Sequence, residues 1–327
     1  MILVTGAAGF IGSHLSENLL RYGHDVIGLD NFNDFYNPAL KRQNLASIQE
    51  TAKKEGKFFQ CYSGDICDED MVNTLLAEHK IQTIIHLAAM AGVRPSIQKP
   101  LLYERVNGLG TLTILECAQK NNVKKIIFGS SSSVYGLNKK IPFSEKDPVN
   151  LPYSPYASTK RAGELACFTY HQLYQISFAV LRFFTVYGPR QRPDLAIRKF
   201  TELIFKNKPI CIYGDGHYQR DFTYIDDIID GIIKSMTWLN QADKPQYEIF
   251  NLGESATTSV NNLIKLLEKH IGQKAIKEYK LKEPGDVPQT YANITKAKTM
   301  IGYKPKTPLE KGIPLFIEWY RDHLKKE

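Results

Sequence analysis

Short apolar runs that are rich in β-branched and aromatic residues alternate with longer stretches of helical pattern through the first half of the chain. Two parallel strands need a long crossover between them, and the intervals between these runs leave room for helices of that kind. Near-continuous apolar runs are typical of strands that are buried on both faces. The runs occupy residues 2–6, 25–30, 57–65, 82–89, 124–131 and 176–184. The pattern therefore predicts an α/β fold with a doubly wound parallel sheet.

After Pro189 the regular alternation gives way to prolines, glycines and short mixed segments. Helices are predicted at 227–238 and 259–271, and a strand is predicted at 248–253. We expect a larger first domain at residues 1–188 and a smaller C-terminal lobe made mainly of residues 189–327. Some segments, with 222–253 among the candidates, are expected to return to the first domain.

Composition limits the class of protein. The chain has 327 residues, of which 43% are hydrophobic, so it can bury a large core. Its five cysteines are odd in number and form no CxxC pair, which indicates free thiols in a reducing compartment and neither disulfides nor a metal site. The chain starts without a basic leader, and it has no apolar run of membrane-spanning length. We therefore expect a cytoplasmic protein that does not enter a membrane.

The formal charge of +8 raises nucleic acid as a possible partner. The basic residues, however, are scattered through helix-like segments, and their densest groups are short pairs. We expect no nucleic-acid partner. A positive cleft for an anionic small molecule fits the distribution of charge better.

The stretch TGAAGFIG (5–12) follows a predicted strand and opens a predicted helix. Gly6 can make the tight turn, Gly9 can let the backbone approach a pyrophosphate, and Gly12 can let the helix pack on the strand. Asp30 ends the next strand, where a carboxylate accepts hydrogen bonds from the adenosine ribose and repels a 2′-phosphate. The combination predicts a Rossmann-type domain that binds NAD rather than NADP.

The stretch SPYASTK (154–160) opens another predicted helix. A separation of four residues places Tyr156 and Lys160 on one helix face, where an ammonium can lower the phenol pKa and hold a nicotinamide ribose. A phenolate near neutrality can act as a general base. In isolation such a pair is more often a surface contact, so its weight comes from the dinucleotide motif that precedes it.

The run GSSSSVYG (129–136) has two interpretations. Serines beside glycine are typical of flexible linkers, but a strand end that carries serines can also present several hydroxyls to one polar ligand. The run interrupts a strand pattern and joins no two domains, which favours the strand end. For Ser132 and Ser133, bonding to their own backbone remains an alternative to ligand binding.

These motifs occur in an order that resembles the extended short-chain dehydrogenase/reductases of the nucleotide-sugar branch. The resemblance covers nearly the whole chain, and its motifs are TGAAGFIG, Asp30, HLAA (86–89), SSSSVYG, YASTK and QRDFTYIDD (219–227). Within that branch, the UDP-glucuronate 4-epimerases are most similar. The stretches that carry this closer similarity are DNFNDFYNPALK (30–41), AAMAGVRPSI (88–97) and RFFTVYGPRQRPD (182–194).

The resemblance implies a reaction and three catalytic residues. Tyr156 takes the C4 hydroxyl proton of the sugar with Lys160 and Ser131 assisting, and the hydride passes to NAD and returns to the other face after the 4-keto sugar turns over. The product would be UDP-galacturonate, and NAD would stay bound. Residues implied in cofactor binding are Gly6, Gly9, Phe10, Ile11, Gly12, Asp30, Asn31, Asp65, Ile66, Leu87, Ala88, Ala89, Tyr156 and Lys160.

The resemblance also implies substrate contacts and a homodimer. Ser132, Ser133, Thr185 and Arg192 match positions that hold the C6 carboxylate, and Arg220 matches an arginine on the diphosphate. The less defined positions are Arg94, Tyr213 and Asp286. The dimer would pair the helical stretches 108–120 and 157–174 of two copies through their apolar positions.

Several related functions remain open. A 4,6-dehydratase of this branch would carry an acid pair where Ser132 and Ser133 stand, and a UDP-glucuronate decarboxylase would carry a glutamate at Ser133. A UDP-glucose or UDP-N-acetylhexosamine 4-epimerase would usually carry asparagine at Thr185, and it is the first alternative. A non-catalytic NAD-binding sensor would be expected to lack Tyr156 or Lys160, and both are present.

Overall fold

The computed structural model describes residues 1–281 and 287–325. Its strands are β1 (Ile2–Thr5), β2 (Val26–Asp30), β3 (Phe59–Ser63), β4 (Thr83–His86), β5 (Lys125–Ser131), β6 (Ser177–Phe183), β7 (Thr185–Tyr187), β8 (Ile210–Tyr213), β9 (Gln219–Arg220), β10 (Phe222–Tyr224), β11 (Tyr247–Leu252), β12 (Thr258–Ser259) and β13 (Lys277–Lys280). Every strand predicted from the apolar runs is present, although each is shorter than its run.

Helices occupy the intervals between the strands. They are α1 (Phe10–Arg21), α2 (Pro38–Glu55), α3 (Glu69–His79), α4 (Val93–Gln98), α5 (Pro100–Tyr103), α6 (Gly110–Lys120), α7 (Pro155–Tyr174), α8 (Ala196–Phe205), α9 (Ile225–Gln241), α10 (Val260–Ile271), α11 (Thr295–Ile301) and α12 (Leu309–Leu324). A π-helical turn, Glu104–Leu109, precedes α6, and a 3-10 turn, Ser132–Tyr135, follows β5.

Seven strands form one parallel sheet in the order β11-β6-β5-β4-β1-β2-β3. The chain builds outward from β1 to β3 on one side and from β4 onward on the other. The order therefore reverses between β1 and β4, which is where ligands bind in open sheets of this kind. The prediction of a doubly wound α/β fold is confirmed.

The second half of the chain contributes both to this sheet and to smaller ones. Strand β11 pairs with β6 in parallel and forms one edge of the large sheet. Two-stranded sheets join β7 with β10, β9 with β12, and β8 with β13. The division of the chain near residue 189 stays a prediction.

The core lies on both faces of the large sheet. Ile2 and Val4 of β1 belong to a cluster that includes residues of α1 and α9, whereas Leu3 belongs to a cluster with residues of α3, α6 and α7. This alternation follows from the strand period of two, because successive side chains point to opposite faces. Burial on both faces explains why the runs are continuously apolar.

The described residues contain neither a helix that could span a membrane nor a cluster of metal-binding side chains. Across residues 1–281 and 287–325, no helix combines the length and the apolar character that crossing a bilayer requires. The five cysteines are free thiols. Within the same residues, no group of three or more histidine, cysteine, aspartate or glutamate side chains is placed to hold a metal ion.

Candidate active site

A cleft of about 450 Å³ opens at the carboxyl ends of the strands around the point of reversal. This volume is within the range of pockets for organic ligands of moderate size. Predicted cofactor residues that line it are Gly6, Gly9, Phe10, Ile11, Gly12, Asp30, Asn31, Ile66, Leu87, Ala88, Ala89, Tyr156 and Lys160. Ser131, Ser132, Ser133, Thr185 and Arg192 line the same cleft. Residues predicted from separate motifs therefore meet in one space.

The glycine-rich turn joins β1 to α1 at the floor of the cleft. Gly6 has a φ of 71°, a left-handed conformation that favours glycine. A Cβ at Gly12 would collide with the carbonyl oxygen of Gly6, so only glycine fits there. Gly9 is the N-cap of α1 and has no side chain to fill the space in front of the helix. The turn leaves the N-terminus of α1 open to an anionic group.

Asp30 ends β2 and is buried beside the glycine-rich turn. Its Oδ2 accepts a hydrogen bond from the backbone N of Ala8 at 3.2 Å, and its Oδ1 accepts one from Phe32 N at 2.8 Å. Lys41 Nζ lies 3.2 Å from Oδ1 and is also buried. Sequence analysis missed Lys41, although the motif that begins at Asp30 ends on it. The carboxylate is therefore held in place and partly neutralised.

Asp65 is the one predicted cofactor residue that does not line the cleft. Its Oδ1 accepts a hydrogen bond from the backbone N of Cys67 at 2.9 Å, which orders the turn after β3. Asn31 lines the cleft, and its Oδ1 accepts from Asn33 N at 3.0 Å. Each side chain therefore orders its own loop beside the cleft.

Tyr156 and Lys160 lie in the first turns of α7. Ser154 caps this helix by accepting a hydrogen bond from Ala157 N at 3.1 Å, and Pro155 occupies its first position. Lys160 Nζ donates to the carbonyl oxygen of Gly129 at 2.7 Å. The helix start and the end of β5 are thus joined at the cleft.

Burial changes the acidity of both catalytic candidates. It lowers the pKa of Lys160 to about 8. It raises the pKa of the Tyr156 phenol, while the Ser131 side chain and the positive charge of Arg192 act in the opposite direction. Lys160 is predicted from the sequence to lower the pKa of the Tyr156 phenol, and that contribution stays a prediction. The phenol thus has two charge-stabilising neighbours within the protein itself.

The serine run is a strand end and not a linker. Ser131 is the last residue of β5, and its Oγ accepts a hydrogen bond from Ser133 N at 3.1 Å. Ser132 and Ser133 begin the 3-10 turn and line the cleft. The buried Ser130 Oγ donates to Glu164 Oε1 at 2.6 Å. Ser130 anchors the strand, Ser131 caps the turn, and all four serines line the cleft.

Beneath the serine run lies a buried ion pair that sequence analysis missed. Arg182 donates from Nε and Nη2 to the two oxygens of Glu164, each at 2.8 Å, and both side chains are at most 1% exposed. Arg182 Nη1 also donates to the Tyr135 hydroxyl at 3.1 Å. Tyr135 in turn donates to Asn251 Oδ1 at 2.7 Å. The network links β5, α7, β6 and β11 behind the cleft.

Asn107 is a second residue that sequence analysis missed. It lies in the π-helical turn and is buried, and its side chain accepts a hydrogen bond from Met90 N at 2.8 Å and donates one to Met90 O at 3.0 Å. Its Nδ2 also donates to Thr159 Oγ1 at 3.0 Å. Asn107 therefore fixes the loop that follows β4 against α7. A buried asparagine carries no spacing signal that could reveal this contact.

Arg192 is the guanidinium on the predicted sugar side of the cleft. It forms a two-point ion pair with Asp194, from Nε to Oδ1 at 2.9 Å and from Nη2 to Oδ2 at 2.7 Å. Its guanidinium carbon lies 5.4 Å from the centre of the Phe35 ring. Phe35 and Thr185 also line the cleft. The loop after β2 and the loop after β7 thus meet at Arg192.

Three of the remaining predicted substrate residues do not line this cleft. The guanidinium carbon of Arg94 is 4.0 Å from the centre of the Tyr213 ring, and Arg220 Nη1 donates to Gln219 O at 2.8 Å. None of these three predicted residues lines the cleft. Asp286 lies outside the described residues. The substrate roles of all four stay predictions.

Comparisons with known proteins agree on the fold. A family model described as GDP-mannose 4,6 dehydratase matches residues 3–315. UDP-glucuronate 4-epimerase of Thermodesulfobacterium geofontis is 42% identical, with 99% of this chain and 97% of that protein covered. UDP-glucuronate 4-epimerase 4 of Arabidopsis thaliana is 44% identical, with 98% of this chain and 75% of that protein covered.

Two solved structures are similar over nearly their full length. One is a mutant of UDP-glucuronic acid 4-epimerase from Bacillus cereus in complex with UDP-4-deoxy-4-fluoro-glucuronic acid and NAD. It has a TM-score of 0.90 and 38% identity, and 98% of this chain and 99% of that chain are covered. The other is UDP-glucose 4-epimerase from Thermotoga maritima with UDP-glucose, which has a TM-score of 0.86 and 34% identity, with 99% of each chain covered.

Proposed function

The chain belongs to the GDP-mannose 4,6-dehydratase family of extended short-chain dehydrogenase/reductases, in its nucleotide-sugar epimerase branch, and we propose that it interconverts UDP-glucuronate and UDP-galacturonate. The observation that carries the proposal is a single cleft that brings Tyr156, Lys160 and Ser131 together with Arg192. A base with its supporting groups thus lies in the same space as a cation for a sugar acid.

The cofactor of this branch is NAD, and the residues present fit it. Glycine at position 12 lets α1 pack against the turn at Gly6, and Gly9 at its N-cap would let a diphosphate approach the start of α1. Asp30 would hold the adenosine ribose, and Lys160 would hold the nicotinamide ribose. When bound, NAD supplies a reversible hydride acceptor for C4 of the sugar.

Tyr156 is the proposed general base for the C4 hydroxyl. Its phenol must lose a proton at moderate pH, and burial opposes that loss because it raises the pKa of Tyr156. Ser131 and the charge of Arg192 act in the other direction, which is the direction that proton abstraction requires. Ser131 also marks where the C4 oxygen would sit, because it lies at the end of β5 beside the phenol.

Thr185, Ser132, Ser133 and Arg192 are the proposed contacts for the C6 carboxylate. Hydroxyl donors can bind an anion and release it without leaving a buried charge behind, which suits a sugar that must turn within the cleft. A guanidinium adds attraction that a neutral hydroxymethyl group would not receive. These properties favour the sugar acid over UDP-glucose.

A neutral sugar is the second candidate, and two observations favour it. Asp194 already neutralises Arg192 through two hydrogen bonds, which reduces the attraction for an incoming carboxylate. A UDP-glucose 4-epimerase is also among the similar structures. Turnover of the two UDP-sugars distinguishes the candidates.

The substrate experiment compares UDP-glucuronate with UDP-glucose at equal concentrations. We expect UDP-galacturonate to accumulate, with kcat/KM roughly 100-fold higher for the acid, because donors placed for an anion are poorly satisfied by a neutral group. Products are resolved by proton NMR of the anomeric and C4 signals. Tyr156→Phe serves as the inactive control. Equal kcat/KM for the two sugars would contradict the proposal.

We also propose a homodimer built on α6 and α7. Leu112 of α6 and Phe168 of α7 are large apolar side chains that remain 43% and 47% exposed, and Leu165 of α7 is 52% exposed. Pairing these helices across a two-fold axis would cover them with the same residues of a second copy. Light scattering of the purified protein should give a dimer mass, and Phe168→Glu should give a monomer. A monomeric wild type would contradict the proposal.

A further inference from the structure

Asp194 occupies the part of Arg192 that an incoming carboxylate would use. A guanidinium binds a carboxylate best when two parallel N–H groups meet its two oxygens. In Arg192 the Nε and Nη2 groups are both already engaged, at 2.9 and 2.7 Å, by the oxygens of Asp194. A carboxylate that reaches Arg192 must therefore displace Asp194 or share the guanidinium with it.

Sharing is the weaker arrangement because it brings two carboxylates close together. Like charges a few ångströms apart repel, and the repulsion is larger in a partly enclosed site than in bulk water. Displacement is available, since the Asp194 side chain is 36% exposed and can turn toward water, whereas the Arg192 side chain is only 18% exposed. Contact with the Phe35 ring gives the guanidinium a support that does not depend on Asp194.

We propose that Asp194 sets the specificity and release of the sugar acid by competing with the C6 carboxylate for Arg192. This inference rests on the proposed function. Asp194 holds the guanidinium when no acid is bound and gives way as the acid arrives. When the sugar turns, Asp194 takes the guanidinium back, so Arg192 is not left without a counterion during the turning step.

The competition has two kinetic consequences for UDP-glucuronate. Without the Asp194 carboxylate, the substrate carboxylate can pair with both Nε and Nη2 of Arg192, and it binds more tightly. The same tighter hold opposes the turn of the sugar between the two half-reactions, so turnover slows. A neutral UDP-sugar makes no such exchange, and its kinetics should not respond. Asp194 therefore acts on KM and kcat together, and only for the acid.

The test uses the NAD-loaded protein and the variant Asp194→Asn, which removes the charge and keeps the size. We expect KM for UDP-glucuronate to fall roughly five-fold and kcat to fall by a similar factor, the size expected for a well-aligned, partly exposed ion pair. Kinetics with UDP-glucose should stay within two-fold of wild type, which corresponds to about 0.4 kcal/mol. Asp322→Asn is the matched control, because Asp322 pairs with Lys325 at 3.0 Å on the exposed end of α12.

Binding measurements separate this inference from the proposed function. Calorimetry with Tyr156→Phe and with Tyr156→Phe/Asp194→Asn reports affinity for UDP-glucuronate without turnover, and the double variant should bind about five-fold more tightly. Unchanged or weaker binding of the acid, or an equal change for UDP-glucose, would overturn the competition. Asp194→Ser repeats the test if the asparagine variant has a lowered melting temperature. Wild-type protein that turns over only UDP-glucose would overturn the proposed function instead, and the binding comparison would still decide the role of Asp194.

Discussion

Replacing Glu164 with glutamine tests whether the buried ion pair supports the serine strand end. The change keeps the size of the side chain but removes the charge that Arg182 meets at 2.8 Å with both Nε and Nη2. Arg182 is 1% exposed, so water cannot replace the lost partner. Ser130 loses its charged acceptor in the same step.

The expected cost is large because a charge remains buried without its counterion. Breaking a buried ion pair by removing one member typically destabilises a protein by about 3–5 kcal/mol. Glutamine keeps one hydrogen-bond acceptor, which places the expected loss near the lower end, at about 3 kcal/mol. The control Glu202→Gln removes a pair with Lys206 at 2.6 Å whose members are 36% and 52% exposed, and it should cost no more than about 1 kcal/mol.

The assay is urea unfolding at a fixed NAD concentration, since bound cofactor adds stability of its own. An unchanged slope with a lower midpoint would assign the effect to the folded state. Although burial raises the pKa of Glu164, the interactions with Arg182 and Ser130 prevail and hold it below the usual value of 4.5. Its stabilisation is therefore present above the unfolded pKa and is lost as pH falls, so wild type and variant should converge in acid. A loss below about 1 kcal/mol at pH 7, equal to that of the control, would refute the reasoning.

Three further changes test the cleft and its surroundings. Ser131→Ala should lower kcat roughly 10- to 1000-fold while the melting temperature stays near wild type, and an effect on KM alone would contradict its role beside Tyr156. Glu254→Gln should raise the melting temperature at pH 8, because burial first, and then nearby carboxylates, raise the pKa of Glu254 to about 7. A carboxyl whose pKa is raised in the folded state adds stability below its unfolded pKa of 4.5, and this stability is lost as pH rises through 7. The melting-temperature gain of Glu254→Gln should therefore grow from pH 5 to pH 8, and a gain that stayed constant would contradict the prediction. Asp30→Asn should lower the ratio of the NADP to the NAD dissociation constant at least roughly ten-fold, since it removes a repelling charge and keeps Lys41, and an unchanged ratio in fluorescence titrations would exclude this role.

The fold could be predicted because its signals are local. Continuous apolar runs define the strands, and Ser154 followed by Pro155 defines the start of α7. The glycine-rich turn could be predicted for the same reason, since Gly6 and Gly12 are required by backbone geometry within one short segment.

The contacts that sequence analysis missed join segments that are distant in the chain or depend on side-chain orientation. Asn107 meets Thr159 only because the π-helical turn packs on α7. Asp194 stands two residues after Arg192, but spacing alone does not reveal that the two side chains form a two-point ion pair. Such contacts follow from packing and not from periodicity.

Strand β11 comes from the second half of the chain and covers the outer edge of β6 in the large sheet. A fragment that ended at residue 188 would lack β11, so one edge of the β6 backbone, Ser177–Phe183, would have no paired strand. Unpaired apolar edges of this kind recruit other chains, so such a fragment should aggregate when expressed alone. An engineer who wishes to exchange the second half of the chain must therefore leave β11 with the large sheet, because a cut at residue 188 would remove that strand.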